Sequence, residues 1–197
     1  MLPFKTPFIA SHVYPGLLWK VKTAEKVIYL TFDDGPIPQL TEWVLEVLSE
    51  YEAKATFFCV GENVSKNPQI FRQILKEGHS VGNHTQHHLN GKKASLEEYL
   101  ADTLACDEAM KRESISTQLF RPPYGRLTNA QRKQLLQQKT IVMWDVLTQD
   151  YDQNLEPDFI LKKSIAATKK GAIVVFHDNL KAERNLREVL PKFLGHF

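Results

Sequence analysis

Val27-Ile28-Tyr29-Leu30-Thr31-Phe32-Asp33-Asp34-Gly35-Pro36 is the stretch from which the fold can be read. Its first six residues are β-branched, aromatic or aliphatic and read as a buried strand. Two adjacent carboxylates follow, and Gly35-Pro36 then forces the chain to turn. Neighbouring side chains at a strand end leave in different directions, so Asp33 and Asp34 can divide two tasks, metal binding and proton handling. On its own, an Asp-Asp-Gly-Pro turn is better explained as a cap on the helix that follows. The balance is tipped downstream by Gly82-Asn83-His84-Thr85-Gln86-His87-His88 and by other polar clusters that follow apolar runs.

Outward from that stretch, residues Gln39 to Glu50 read as a helix with Leu40, Trp43, Val44, Val47 and Leu48 on one face. Ala55 to Val60 reads as a second strand. Asn63 to Glu77 reads as a helix with a break near Pro68 and a stop at Gly78. A short strand around His79 to Gly82 leads into the histidines. Leu96 to Met110 reads as a helix with Leu96, Leu100, Leu104 and Met110 inward. Leu119-Phe120 runs into Arg121-Pro122-Pro123-Tyr124-Gly125, which cannot be helical. A helix over Asn129 to Gln138, a strand over Thr140 to Trp144 and a polar loop over Asp145 to Asn154 follow. Pro157 opens a helix to about Lys169. Ala172 to Phe176 is a strand carrying His177-Asp178 at its end, and Arg184 to Leu194 is a last helix that Pro191 is expected to end early.

Strand and helix thus alternate about six times, which predicts a parallel sheet with helices outside it. Unusual polar residues sit just after strands, and a β/α barrel gathers those positions on one rim. An open doubly wound sheet is the alternative. At 197 residues and 43% hydrophobic, the chain is long enough for one domain, expected over residues 27–197. Residues 1–26 are expected to form an arm packed on it through Phe8, Val13, Tyr14, Leu17, Leu18 and Trp19.

With 25 basic against 23 acidic residues and a net charge of +2, no basic stripe points to nucleic acid. No stretch approaches the ~20 apolar residues that span a bilayer. Pro7, His12 and Pro15 interrupt the first residues, so no signal peptide is expected. Cytoplasm is the default location, with export by another route as the alternative. Cys59 and Cys106 read as inert buried thiols, and a monomer is expected.

His84 and His88 are four apart and would share one face of a helical turn at metal-ligand spacing. Adding Asp34 gives a two-histidine, one-carboxylate set that leaves positions for water and substrate. His87, three from His84, competes for the same place, and spacing alone does not separate the two. Thr31-Phe32-Asp33-Asp34-Gly35-Pro36, His84-Thr85-Gln86-His87-His88, Arg121-Pro122-Pro123-Tyr124 and the late His177 stand in the order seen in polysaccharide deacetylases. The chain resembles that family, the NodB-homology domains of carbohydrate esterase family 4, from about Val27 to Phe193.

The resemblance implies a distorted (β/α) barrel with fewer than eight strands, and it selects His88 over His87. It implies Asp34, His84 and His88 as ligands of Zn2+, with Co2+ or Ni2+ as substitutes. Asp33 would be the general base toward the attacking water, with Arg121 paired to it. His177, positioned by Asp150, would be the general acid. The metal and a backbone N–H near Tyr124 would stabilise the oxyanion. Tyr151 stands where the family has an indole, and Val175 stands where a Leu usually lines a pocket for the acetyl methyl. The implied activity is metal-dependent N-deacetylation of N-acetylglucosamine units in a chitin-like or peptidoglycan-like glycan. O-deacetylation of acetylated xylan and a silent carbohydrate-binding domain are the alternatives.

Overall fold

The structure, a computed structural model, describes residues 3–7 and 9–197. Its elements run α1 (Ala10–Val13), β1 (Tyr29–Asp34), α2 (Leu40–Glu50), β2 (Ala55–Cys59), α3 (Gly61–Lys66), α4 (Pro68–Lys76), β3 (Ser80–Asn83) and α5 (Leu96–Arg112). They continue with β4 (Leu119–Phe120), α6 (Asn129–Leu135), β5 (Thr140–Ile141), β6 (Val146–Leu147), α7 (Pro157–Ala167), β7 (Ile173–His177) and α8 (Glu183–Leu194). Among the described residues seven strands form one sheet in the order β5-β4-β3-β2-β1-β7-β6. Every neighbouring pair is parallel.

That order decides between the two expected architectures. β5 and β6 lie at opposite edges, yet only residues 142–145 separate them. Seven strands laid flat would put the edges roughly 29 Å apart, at ~4.8 Å per spacing. A link of this length reaches at most ~18 Å. The sheet must therefore curl until its edges approach, which makes a distorted (β/α) barrel with fewer than eight strands and removes the open doubly wound alternative. The N-terminal segment lies along the seam: Lys5 bridges to Val146, Leu18 to Val142 and Lys20 to Ala172. Leu17 and Trp19 pack on the cluster around Phe120 and Ile141, while Val13 and Tyr14 face solvent. Phe8 lies outside the described residues.

β1 lies inside the sheet, between β2 and β7, because its residues suit burial on both faces. Phe32 pairs in register with Phe57 on one side and Phe176 on the other. The three rings stack, with centroids 5.1 and 5.9 Å from the central one. Phe32→Ala should cost about 3–5 kcal/mol of unfolding free energy, as for other buried Phe truncations. Urea denaturation measures this, and a loss below about 1 kcal/mol would mean the row is not closely packed.

Four local expectations are corrected. Leu104 is 59% exposed, and α5 instead buries Tyr99, Thr103, Cys106, Ala109 and Met110. The inward face is partly polar because Thr103 O and Asp107 both receive hydrogen bonds from Asn83. The strand expected over Thr140 to Trp144 stops at Ile141, and Val146–Leu147, expected to be loop, is a strand. Pro191 lies inside α8, whose final turn is held by the burial of Leu190, Phe193 and Leu194. Residues 84–88 are not helical. Cys59 and Cys106 are buried free thiols, as expected.

Candidate active site

Asp33, Asp34, His84, Arg121 and His177 all lie at or just beyond the C-terminal ends of strands, the rim where β/α barrels assemble sites. Period-two alternation puts Thr31 and Asp33 on one face of β1. Arg121, fully buried, meets both: its Nη1 donates to Asp33 Oδ1 at 2.6 Å and to Thr31 Oγ1 at 2.7 Å. The same guanidinium donates from Nε to Val142 O at 3.2 Å and from Nη2 to Met143 O at 2.9 Å. It also lies 4.1 Å from the Phe58 ring centroid. Burial lowers the Arg121 pKa, and the Asp33 carboxylate works against that shift. A buried guanidinium with every neighbour satisfied holds the carboxylate in one place, because either partner alone would be an uncompensated charge.

Asp34 sits at φ 90°, in the left-handed region, so β1 ends there and the carboxylate swings out of the strand pattern. Gly35 follows because nothing larger fits: a Cβ would stand 1.9 Å from Asp178 Oδ2. Asp34 Oδ1 faces His88 Nε2 at 3.1 Å and His84 Nε2 at 3.5 Å. His84 Nδ1 lies 2.7 Å from Arg121 O, an atom that can only accept, so Nδ1 carries a proton and Nε2 is the nitrogen turned toward Asp34. Asp34 Oδ1 is buried with no hydrogen-bond partner among the described residues. Three ligand atoms within 4.8 Å of one another, one an orphaned anionic oxygen, fit a divalent cation. Burial pushes the Asp34 carboxyl up, but the imidazoles of His84 and His88 and the charge of His177 outweigh it and hold the carboxyl well below its usual range.

The histidines converge without a helix. Thr85 and His88 both have positive φ. Thr85 N donates to Asn83 Oδ1 at 2.8 Å, and Asp102 of α5 accepts from the N–H groups of Gln86 and His87. His87 Nδ1 also lies 2.6 Å from Asp102 Oδ1, and its side chain is 63% exposed. His87 is thus tied to α5 while His88 reaches the cluster, so the helical premise was wrong although the selected residue joins the cluster. Tyr124, at φ 59° and 60% exposed, packs its ring edge-on to His88 and places its hydroxyl 3.2 Å from His88 Nδ1.

Asp150, in the polar loop expected over Asp145 to Asn154, is fully buried. Its Oδ1 lies 2.7 Å from His177 Nδ1, and its Oδ2 accepts from His177 N at 2.8 Å. Burial presses the His177 pKa down, but the charge and hydrogen bond of Asp150, with the charges of Asp34 and Asp33, raise it to about 9. His177 is then an imidazolium at neutral pH, with Tyr151 packed edge-on at 4.9 Å. Val175, two residues before His177 and in register with Thr31, is fully buried.

Two residues after His177 escaped the sequence reading. Asp178 is fully buried, accepting from Gly35 N at 3.0 Å and Thr41 Oγ1 at 2.6 Å, and burial raises its pKa to about 8. Asn179 donates to Asp34 Oδ2. The available signal was their place directly after a strand-end histidine.

These shifts give a pH dependence for metal-free protein. His177 has its folded pKa, about 9, above the ordinary 6.5, so its stabilisation is complete below pH 6.5 and is lost as pH rises through 9. Asp178 acts in the same direction, from 3.8 to about 8, because its neutral form is the one burial favours. Chelator-treated protein should therefore lose stability steadily between pH 6.5 and 9. His177→Asn should flatten the curve, and a melting temperature that rises across this window would contradict it.

Residues 20–143 match the family model described as polysaccharide deacetylase. Over 179 residues the chain is 37% identical to a peptidoglycan-N-acetylglucosamine deacetylase of Bacillus cereus, covering 89% of this chain and 84% of that protein. It is 34% identical over 169 residues to a chitooligosaccharide deacetylase of Sinorhizobium fredii, covering 79% and 74%. A crystal structure of a peptidoglycan N-acetylglucosamine deacetylase, in complex with an N-hydroxybenzamide, superposes with a TM-score of 0.83 at 30% identity, over 97% of this chain and 92% of that one. Several longer relatives match as well, and the chain spans 36% of their length.

Proposed function

The chain belongs to the polysaccharide deacetylase family, and from that premise we propose that it is a metal-dependent hydrolase removing N-acetyl groups from N-acetylglucosamine units of a chitin-like or peptidoglycan-like glycan. The observation that carries the reading is the orphaned Asp34 Oδ1 facing two imidazole Nε2 atoms. Asp34, His84 and His88 would hold the ion, and two imidazoles with one carboxylate favour zinc, with cobalt or nickel as substitutes. Bound there, the ion would act as a Lewis acid toward the acetyl carbonyl and the attacking water.

The remaining chemistry belongs to this chain's own side chains. Asp33, pinned by Arg121, takes the proton from the attacking water. His177, charged and oriented through Nδ1 by Asp150, has its other nitrogen available to protonate the departing amine. That proton is needed because an amide nitrogen leaves poorly until it is protonated. A backbone N–H near Tyr124 would serve the developing oxyanion, and Tyr151 borders His177 as part of the sugar-facing wall. Residues 27–197 form the catalytic domain in this assignment, with residues 1–26 as an arm on it.

Acetate release from chitooligosaccharides and from acetylated xylan, with and without chelator, tests the reading. Chelator-sensitive release from the first substrate is expected. Release from xylan alone would make the protein an O-deacetylase, and no release from either by metal-loaded protein would favour a silent binding domain. The ligand set has its own check. His88→Ala should lose bound metal and activity together, while His87→Ala keeps the metal, and the reverse result in a metal assay would overturn the assignment.

A further inference from the structure

We propose that Asn179 is a positioning residue that fixes Asp34 as a one-oxygen metal ligand. The backbone of the Asp34 turn is held from the β2–α3 side. Asn63 Nδ2 donates to Asp34 O at 2.8 Å, Val60 N to Gly35 O at 3.1 Å and Asn67 Nδ2 to Pro36 O at 3.1 Å. Those three contacts place Cα of Asp34 but leave its carboxylate to turn about the last side-chain bond, a torsion whose preference is broad and roughly two-fold. Which oxygen faces the imidazoles is therefore set by whatever binds the other one. Asn179 Nδ2 donates to Oδ2, and Oδ1 is the oxygen left without a hydrogen bond.

The amide cannot be turned the other way at no cost. Asn179 Oδ1 accepts from Ala182 N at 2.9 Å, and a backbone N–H can meet only the oxygen end. The turn from β7 into α8 thus orients the Asn179 NH2 toward Asp34. With Oδ2 engaged, Asp34 offers the ion a single oxygen, and positions beside it stay open for water and substrate.

This assignment rests on reading Asp34, His84 and His88 as the metal site. Co2+ alone, titrated by calorimetry into metal-free wild type, Asn179→Ala and Asn179→Asp, tests it. Asn179→Asp keeps an acceptor for Ala182 N but removes the donor to Asp34. Both variants are expected to bind Co2+ roughly 10–100-fold more weakly, the usual loss when a hydrogen bond to a ligand is removed. A role confined to the turn would leave Asn179→Asp at wild-type affinity. Wild-type or tighter binding by either variant overturns the proposal while leaving the metal site standing. Failure of the wild type to bind Co2+ overturns both.

Discussion

Asp34→Ala loses divalent metal and acetate release together. Asp34 is the one anionic member of the cluster, and its Oδ1 is shared between the Nε2 atoms of His84 and His88. Removing it leaves two neutral imidazoles, one of them fixed by Arg121 O, with nothing to balance the charge of the ion. The loss of affinity should exceed the 10–100-fold associated with partners that only touch a ligand. Metal content by elemental analysis and turnover on a chitooligosaccharide, measured on one preparation, decide the point. Normal metal content in this variant would remove Asp34 from the ligand set.

Asp33→Asn should fail in the opposite manner. Asparagine keeps the shape and can still accept from Arg121 Nη1, so the strand end should survive and the ion should stay bound. It cannot accept a proton from water, and kcat should fall on the order of 10²–10⁴-fold, the range for loss of a general base. A metal-free Asp33→Asn protein would mean that the two carboxylates have been assigned the wrong way round. Circular dichroism on the variant guards against unfolding, since the substitution leaves the Arg121 charge buried without its counter-ion.

The alternation of strands and helices was legible because parallel strands buried on both faces read as unbroken apolar runs. β1, β2 and β7 appear within two residues of their expected places. β5 and β6 were misjudged because two-residue strands carry no periodicity to detect. Asp150 was placed beside His177 by the motif order alone, because nothing in its polar loop marks it as buried and buried polar residues look like loop residues in a sequence. Only the fold reveals that His177 and Asn185 satisfy it. The turn at residues 84–88 depends on positive φ at Thr85 and His88 and on Asp102 from another helix, none of which spacing encodes. The ligand types at the cluster were nonetheless present in the motif, since they follow from chemistry, whereas Asn179 became visible only through its contact with Asp34.

The placement of β1 between β2 and β7 has a consequence for how the molecule must assemble. Leu30 pairs with Ala55 on one side and with Val174 on the other. The first of these seams joins segments close in the chain, and the second joins its opposite ends. Closing the distant seam orders a long intervening loop before any contact rewards it, so it is expected to be the slow event in refolding. Asp34, His84 and His88 are all carried by segments that can associate before that seam forms, while His177 arrives with β7 itself. A folding chain would therefore bring the proposed ligands together before the proposed proton donor and Asn179 arrive with β7, and the site would be complete only when the two ends of the sequence come together.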